Sequence, residues 1–142
     1  MLVPSISASG KLLPMQTIFH GQTKASCPSM GAHGFTEVER LGFKFEPSHL
    51  HIYWSTQATM KSLVNEIIAP YFEAKKKELT LSISQCALWM IDCWSVHKSD
   101  KFHSWMKDTH SNIIISFVPR NLTGLVQLLD VGIQCMLKQS MK

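Results

Sequence analysis

Apolar and polar residues alternate along this chain in two rhythms, and the change from one to the other marks its elements. Leu2, Val3 and Ile6 sit among small residues, a pattern compatible with a strand over residues 1–9. Gly10 and Lys11 supply a turn, and residues 12–20 (LLPMQTIFH) read as a second strand, which predicts an antiparallel hairpin. Residues 21–34 (GQTKASCPSMGAHG) are rich in Gly and small side chains and read as a long loop. A short extended piece over residues 41–45 follows, closed by Pro47.

Beyond that point the helical period takes over. Ser55 or Thr56 can cap a helix whose apolar positions are Met60, Leu63, Val64, Ile67, Ile68, Tyr71 and Phe72, the spacing of one buried face. Pro70 interrupts this stripe and predicts a kink or an end to regular hydrogen bonding. Lys75, Lys76 and Lys77 suit the negative end of the same helix. Residues 87–92 (ALWMID) read as a buried strand ending in a carboxylate. Ser99 can cap a short helix carrying Phe102, Trp105 and Met106 on one face. Residues 112–118 (NIIISFV) form the clearest β-branched strand, closed by Pro119. Thr123 can cap a last helix with the stripe Leu125, Leu128, Leu129, Ile133, Met136 and Leu137. The alternation of strands and helices in the second half predicts a parallel sheet with crossover helices, and the hairpin in front makes it a mixed α/β sheet.

Composition narrows the class. A chain of 142 residues that is 45% hydrophobic and 17% charged is expected to form one globular domain over residues 1–142. Its apolar runs fall well short of the roughly 20 residues of a membrane helix, so no membrane partner is expected. The N-terminus has no basic segment and Pro4 breaks its apolar run, which argues against a secretory signal and for an intracellular protein. A net charge of +4 permits a nucleic-acid partner without requiring one. Cys27, Cys86, Cys93 and Cys135 form no C-x-x-C pair and read as reduced, mostly buried thiols.

Catalytic groups of open α/β sheets gather at the carboxyl ends of parallel strands. Asp92 falls at such an end, where a charge needs a metal or a donor to offset its burial. Asp130 lies about 140° around the last helix from Leu125, at the margin of the apolar stripe. Two aspartates converging there suit magnesium, a hard cation that prefers carboxylates and water. The plainer alternative is a turn residue at 92 and a solvated helix edge at 130. His97, five residues after Asp92, either assists at the same strand end or caps the loop. His49 and His51 would share one face of a strand, too few ligands for zinc. His20, His33, His103 and His110 read as surface or loop residues, and Ser95 beside His97 is too common a pairing to mark a nucleophile. No dinucleotide, phosphate-loop or nucleophile-elbow signature is present. Lys98, Lys101, Lys107, Arg120 and Lys138 share the half that holds both aspartates. They form either a basic rim for a phosphodiester or an ordinary mixed surface. Trp54, Trp89, Trp94 and Trp105 read as core.

Five stretches resemble one known family. LLPMQTIFHGQTKAS, LGFKFEPS, YWSTQATM, WMIDCWSVHKSDKFHSWM and FVPRNLTGLVQLLDVGIQ are similar, in order, to the DDE superfamily endonuclease domain of pogo- and jerky-like transposases and their domesticated relatives. The most specific blocks are I-D-x-x-S-x-H and P-x-N-x-T-G-x-x-Q-x-x-D-x-G-I. The resemblance implies a ribonuclease H-like fold and three acidic residues holding two divalent metals, Mg²⁺ or Mn²⁺. Carried over by motif, Asp92 matches the second acidic residue and Asp130 the third. It also implies a DNA partner and a nuclear location.

The first acidic residue of the family has no counterpart, because no aspartate precedes Asp92 and Glu37, Glu39 and Glu46 fall in other segments. Gln127-Leu128-Leu129-Asp130 also lacks the proline of the family's Q-P-x-D. The expectation is an N-terminally truncated domain without its central first strand and inactive as a nuclease. Either the second strand then pairs directly with the fourth, or a partner chain or second copy supplies the missing strand, or the domain is marginal. The alternative is a non-catalytic module for DNA or protein contacts.

Overall fold

Gly10 adopts φ 83°, a left-handed conformation that side chains resist, and its N–H donates to Ser7 O at 2.9 Å. That turn folds β1 (Leu2–Val3) back on β2 (Gln16–Phe19) as an antiparallel pair with Leu2 opposite Thr17, extended by a bridge between Ile6 and Leu12. The hairpin predicted from the sequence is present, with strands shorter than the apolar runs. The computed structural model describes residues 1–51, 54–119 and 139, and the chain divides into two compact units, Met1–Ile68 and Ala69–Lys142.

In the first unit a helix stands where the sequence pattern gives none. α1 (Phe35–Arg40) buries no residue, so it carries no apolar period to read. It ends because Gly42, at φ 75°, allows a left-handed cap. The Gly42 N–H donates to Glu39 O at 2.8 Å and the Phe43 N–H to Val38 O at 2.9 Å. The chain then enters β3 (Lys44–Pro47), parallel to β2 with Thr17 opposite Phe45. The extended piece is therefore shifted toward Pro47 from the 41–45 expected. α2 (Gln57–Leu63) starts at Thr56, whose hydroxyl accepts from the Thr59 N–H while Thr59 reciprocates on the Thr56 N–H. A π-turn, Val64–Ile68, follows directly. Pro70 has no N–H to donate, and the wider turn ahead of it absorbs that loss. Leu13, Met15, Ile18, Met60, Leu63, Val64, Ile67 and Ile68 form the buried apolar core of this unit, so the predicted helical stripe is buried from Met60 to Ile68, whereas its last members, Tyr71 and Phe72, are half-buried.

In the second unit α3 (Ala69–Glu78) ends in the three lysines, as the macrodipole favours. Lys76 is the buried one. Its Nζ pairs with Glu73 at 2.7 Å and donates to Ile83 O at 3.1 Å, tying the following loop to the helix. β4 (Ala87–Ile91) and β5 (Ile113–Phe117) pair in parallel with Trp89 opposite Ile115, and α4 (Asp100–Thr109) is the crossover between them. Ser99 caps α4 by accepting from the Phe102 N–H at 3.3 Å. Phe102 and Met106 are buried, as are Ile91, Ile113 and Val118.

Three sequence expectations need correction. β4 is not a buried strand, because Leu88 and Met90 are exposed and only Ile91 is enclosed. Among the described cysteines none is buried: Cys27 and Cys93 are half-buried, Cys86 is exposed, and all three are free thiols. The described tryptophans are not enclosed either, with Trp54 exposed and Trp89, Trp94 and Trp105 half-buried. The helix expected after Thr123 lies outside the described residues. The architecture is mixed α/β, small sheets with flanking helices, compatible with a ribonuclease H-like fold.

Candidate active site

The last rung of the β4–β5 ladder is the Val118 N–H donating to Ile91 O at 2.9 Å, and Asp92 is the next residue. Beside that rung the Cys93 thiol donates to Val118 O at 3.0 Å, so both strand ends are held as Asp92 leaves the sheet. The chain then turns tightly: the Lys98 N–H reaches Trp94 O at 3.2 Å and the Ser99 N–H reaches Val96 O at 3.4 Å. The Ser99 hydroxyl adds a bond to Val96 O at 2.9 Å before α4 begins.

That turn folds His97 back onto Asp92. His97 Nδ1 lies 3.2 Å from the main-chain oxygen of Asp92 and 2.7 Å from its Oδ1. Oδ1 is shut off from solvent, while the Asp92 side chain as a whole is 40% exposed. The oxygen that faces water is therefore Oδ2. The bond from His97 is the largest cause holding the Asp92 carboxyl below the usual carboxylate range; burial works against it, and the Trp94 N–H helps it. At neutral pH the group is a carboxylate with Oδ1 enclosed against His97 and Oδ2 toward water. Of the two roles left open for His97, the structure places it against Asp92.

Around this point the charge is mixed, with Asp100 and Asp108 exposed on the same helix as Lys101 and Lys107. Lys98 Nζ stands 5.8 Å from the Phe117 ring centroid at the end of β5, and Lys98, Lys101 and Lys107 are exposed. Arg120, Lys138 and Asp130 lie outside the described residues, so the convergence of the two aspartates is not part of the described geometry. His103, Lys107 and His110 line one side of a cleft of about 300 Å³ whose other side is Ile113, Ile114 and Ile115.

A carboxylate with one water-facing oxygen has the right chemistry for a hard metal. Among the described residues no group of three or more His, Cys, Asp or Glu could hold one, so Asp92 is a single contributor. The two-histidine idea fails on backbone geometry. His49 sits at φ 61° in a left-handed turn and not in a strand, and the His51 ring contacts Gln22 at 3.1 Å. His103 and His110 are not plain surface residues, since they sit half-buried 5.7 Å from the Phe117 ring and 5.3 Å from the Trp105 ring respectively. A polar cluster built on the enclosed Gln16, with Glu46, Lys44, Ser62 and the exposed Glu66, escaped the sequence reading because its members are scattered over 51 positions. Lys44 answers both carboxylates there, which makes it a brace and not a metal site.

An aspartate at the end of a parallel strand, backed by a histidine five residues on, stands within a sequence that matches the DDE superfamily endonuclease family over residues 1–142. The chain belongs to that family. No curated protein and no solved structure matches it. This DDE domain thus belongs to a superfamily whose endonucleases use divalent metals and act on nucleic acid. No helix among the described residues is long and apolar enough to cross a membrane.

Proposed function

We propose that this chain is a transposase-derived DDE domain that keeps nucleic-acid-binding character and a remnant metal site but does not cut DNA as it stands. The observation that carries the reading is Asp92 at the carboxyl end of β4, its carboxyl below the usual carboxylate range, with Oδ1 enclosed beside His97 and Oδ2 toward water. Asp92 with Asp130 would hold one Mg²⁺ or Mn²⁺. Such an ion polarises a phosphoryl oxygen and lowers the pKa of its bound water. Asp92 offers Oδ2, His97 and the Trp94 amide keep it ionised, and the exposed Lys98, Lys101 and Lys107 would contact a phosphodiester. With no aspartate ahead of Asp92 in these 142 residues, two carboxylates fall short of the pair of ions that strand cleavage needs. The free edge of β4, which has no ladder partner among the described residues, would take a strand from a partner chain or a second copy. With DNA as its partner the domain would act in the nucleus, as the family resemblance implies.

Incubation with supercoiled plasmid in Mg²⁺ or Mn²⁺ tests the reading. The expected result is no nicking, together with DNA retention that weakens steeply with salt. Nicking by the wild-type chain that is lost in Asp92→Asn would overturn the inactivity. A second reading, a non-catalytic DNA- or protein-binding module, is favoured by the single described carboxylate. It expects DNA retention that survives both Asp92→Asn and Asp130→Asn, and loss with either substitution counts against it.

A further inference from the structure

We infer that the free edge of β4 pairs with itself, a second copy of this chain adding its own β4 antiparallel. The assignment names the occupant of the strand-accepting edge proposed above and rests on that reading. The parallel ladder engages only alternate residues of β4. The Ala87 N–H donates to Asn112 O at 2.9 Å and Ile91 O accepts from the Val118 N–H at 2.9 Å, so residues 87, 89 and 91 direct their main-chain groups at β5. Leu88 and Met90 therefore aim an N–H and a carbonyl each away from β5, and no strand occupies that side among the described residues. The two residues are 60% and 53% exposed.

This edge is complementary to itself under a two-fold axis. With Trp89 on the axis, Leu88 of each copy lies opposite Met90 of the other. Each of those pairs exchanges both of its main-chain bonds, as the closely spaced pairs of an antiparallel ladder do. Charge favours this occupant. Residues 79–91 carry no charged side chain and no proline, so the edge lacks the devices that keep strands apart, and an acidic or basic partner strand would find no counter-charge along it. The antiparallel register sets Asp92 beside Cys86 of the second copy, whereas a parallel register would set two Asp92 carboxylates side by side. Pairing turns the two-stranded sheet into a four-stranded one, and because it uses up the β4 edge of each copy it stops at two. Ile114, which stands beside Leu88 in the β4–β5 register and is 52% exposed, extends the apolar face on which Leu88 and Met90 of the copies meet.

The test is the mass in solution by sedimentation equilibrium. A five-residue strand makes an interface of the small, weak class, below about 1,200 Å², so the mass is followed from about 1 µM to about 200 µM. The wild-type chain should rise from 16.1 kDa toward twice that value. Two charged variants then address the edge itself, Leu88→Lys with Met90→Lys and Leu88→Glu with Met90→Glu, both at exposed positions. Each alone sets like charges opposite each other across the axis and should stay at 16.1 kDa throughout. Mixed in equal amounts, the two variants set lysine against glutamate at every pair and should regain the doubled mass, which also shows that both are folded. A wild-type mass that does not change with concentration would overturn the self-pairing, as would a doubled mass in either variant alone or none in the mixture. DNA retention by the wild-type chain is read separately: a monomer that retains DNA loses the pairing and keeps the function proposed above, and a dimer that retains none does the reverse.

Discussion

Gln16 is fully enclosed on β2, and its amide is the brace between the sheet and α2. Nε2 donates to Glu46 Oε2 at 2.6 Å and to Thr59 O at 2.8 Å, while Oε1 is buried with no hydrogen-bond partner among the described residues. Gln16→Met keeps the volume and deletes the polar atoms. Two bonds are lost, one of them to a carboxylate, at about 2–4 kcal/mol together. Removing the unpartnered oxygen returns about 1–2 kcal/mol. Glu46 keeps Ser62 at 2.5 Å and Lys44 at 3.0 Å, so its charge is not stranded. The net expectation is a loss of about 1–2 kcal/mol, or about 2–8 °C in melting temperature for a chain of this size. Urea unfolding should show a lower midpoint with an unchanged slope. Gln16→Glu sharpens the argument by placing a carboxylate against Glu46. Burial and repulsion raise the pKa of the introduced group, so its destabilisation is present at neutral pH and relieved as pH falls through that raised value. A midpoint equal to or above wild type for Gln16→Met, or a Gln16→Glu deficit that does not shrink toward pH 4, would refute the brace.

Three smaller predictions concern the second unit. Ser99→Ala removes the cap of α4 and should cost about 1 kcal/mol, whereas Ser99→Gly should cost only a few tenths, both read from urea midpoints. The Asp92 carboxyl titrates below its unfolded value, chiefly because His97 bonds to it. Its stabilising contribution is therefore full above the unfolded carboxylate pKa and is lost as pH falls through the depressed folded value, below about pH 4. Asp92→Asn should flatten the acid limb of a stability-against-pH curve in that window, and an unaltered limb would refute the assignment. Cys93→Ala deletes the thiol bond to Val118 O and should cost about 1 kcal/mol or less, since a thiol is a weak donor; Cys93→Ser should recover it.

The elements that bury an apolar face were legible in the sequence. The stripe from Met60 to Ile68 and the pair Phe102 and Met106 announced their helices because burial demands that spacing. Ile113 to Phe117 announced a strand through its β-branched run, although only Ile113 of it is buried. α1 was invisible because it buries nothing and is stopped by backbone geometry at Gly42. β4 was misjudged because its run of apolar residues imitates a buried strand, while Leu88 and Met90 face outward. Its position was still correct, and with it the place of Asp92. The contact between Asp92 and His97 was only half readable. Five residues of separation allow either a cap or a partner, and the choice is made by the Ser99–Val96 turn, which no period encodes. Asp130 lies outside the described residues, so its place beside Asp92 rests on the family pattern.

The central claim is that Asp92 retains the metal-holding role of a DDE carboxylate. Thermal melting of the purified chain with and without Mn²⁺, beside Asp92→Asn, tests it most directly. At a metal concentration ten times the dissociation constant, linkage adds about 1.4 kcal/mol to the folded state. The wild-type transition should then rise by about 3–6 °C, and the Asp92→Asn transition should stay where it is. A wild-type melt indifferent to Mn²⁺, or an equal rise in the variant, would contradict the account.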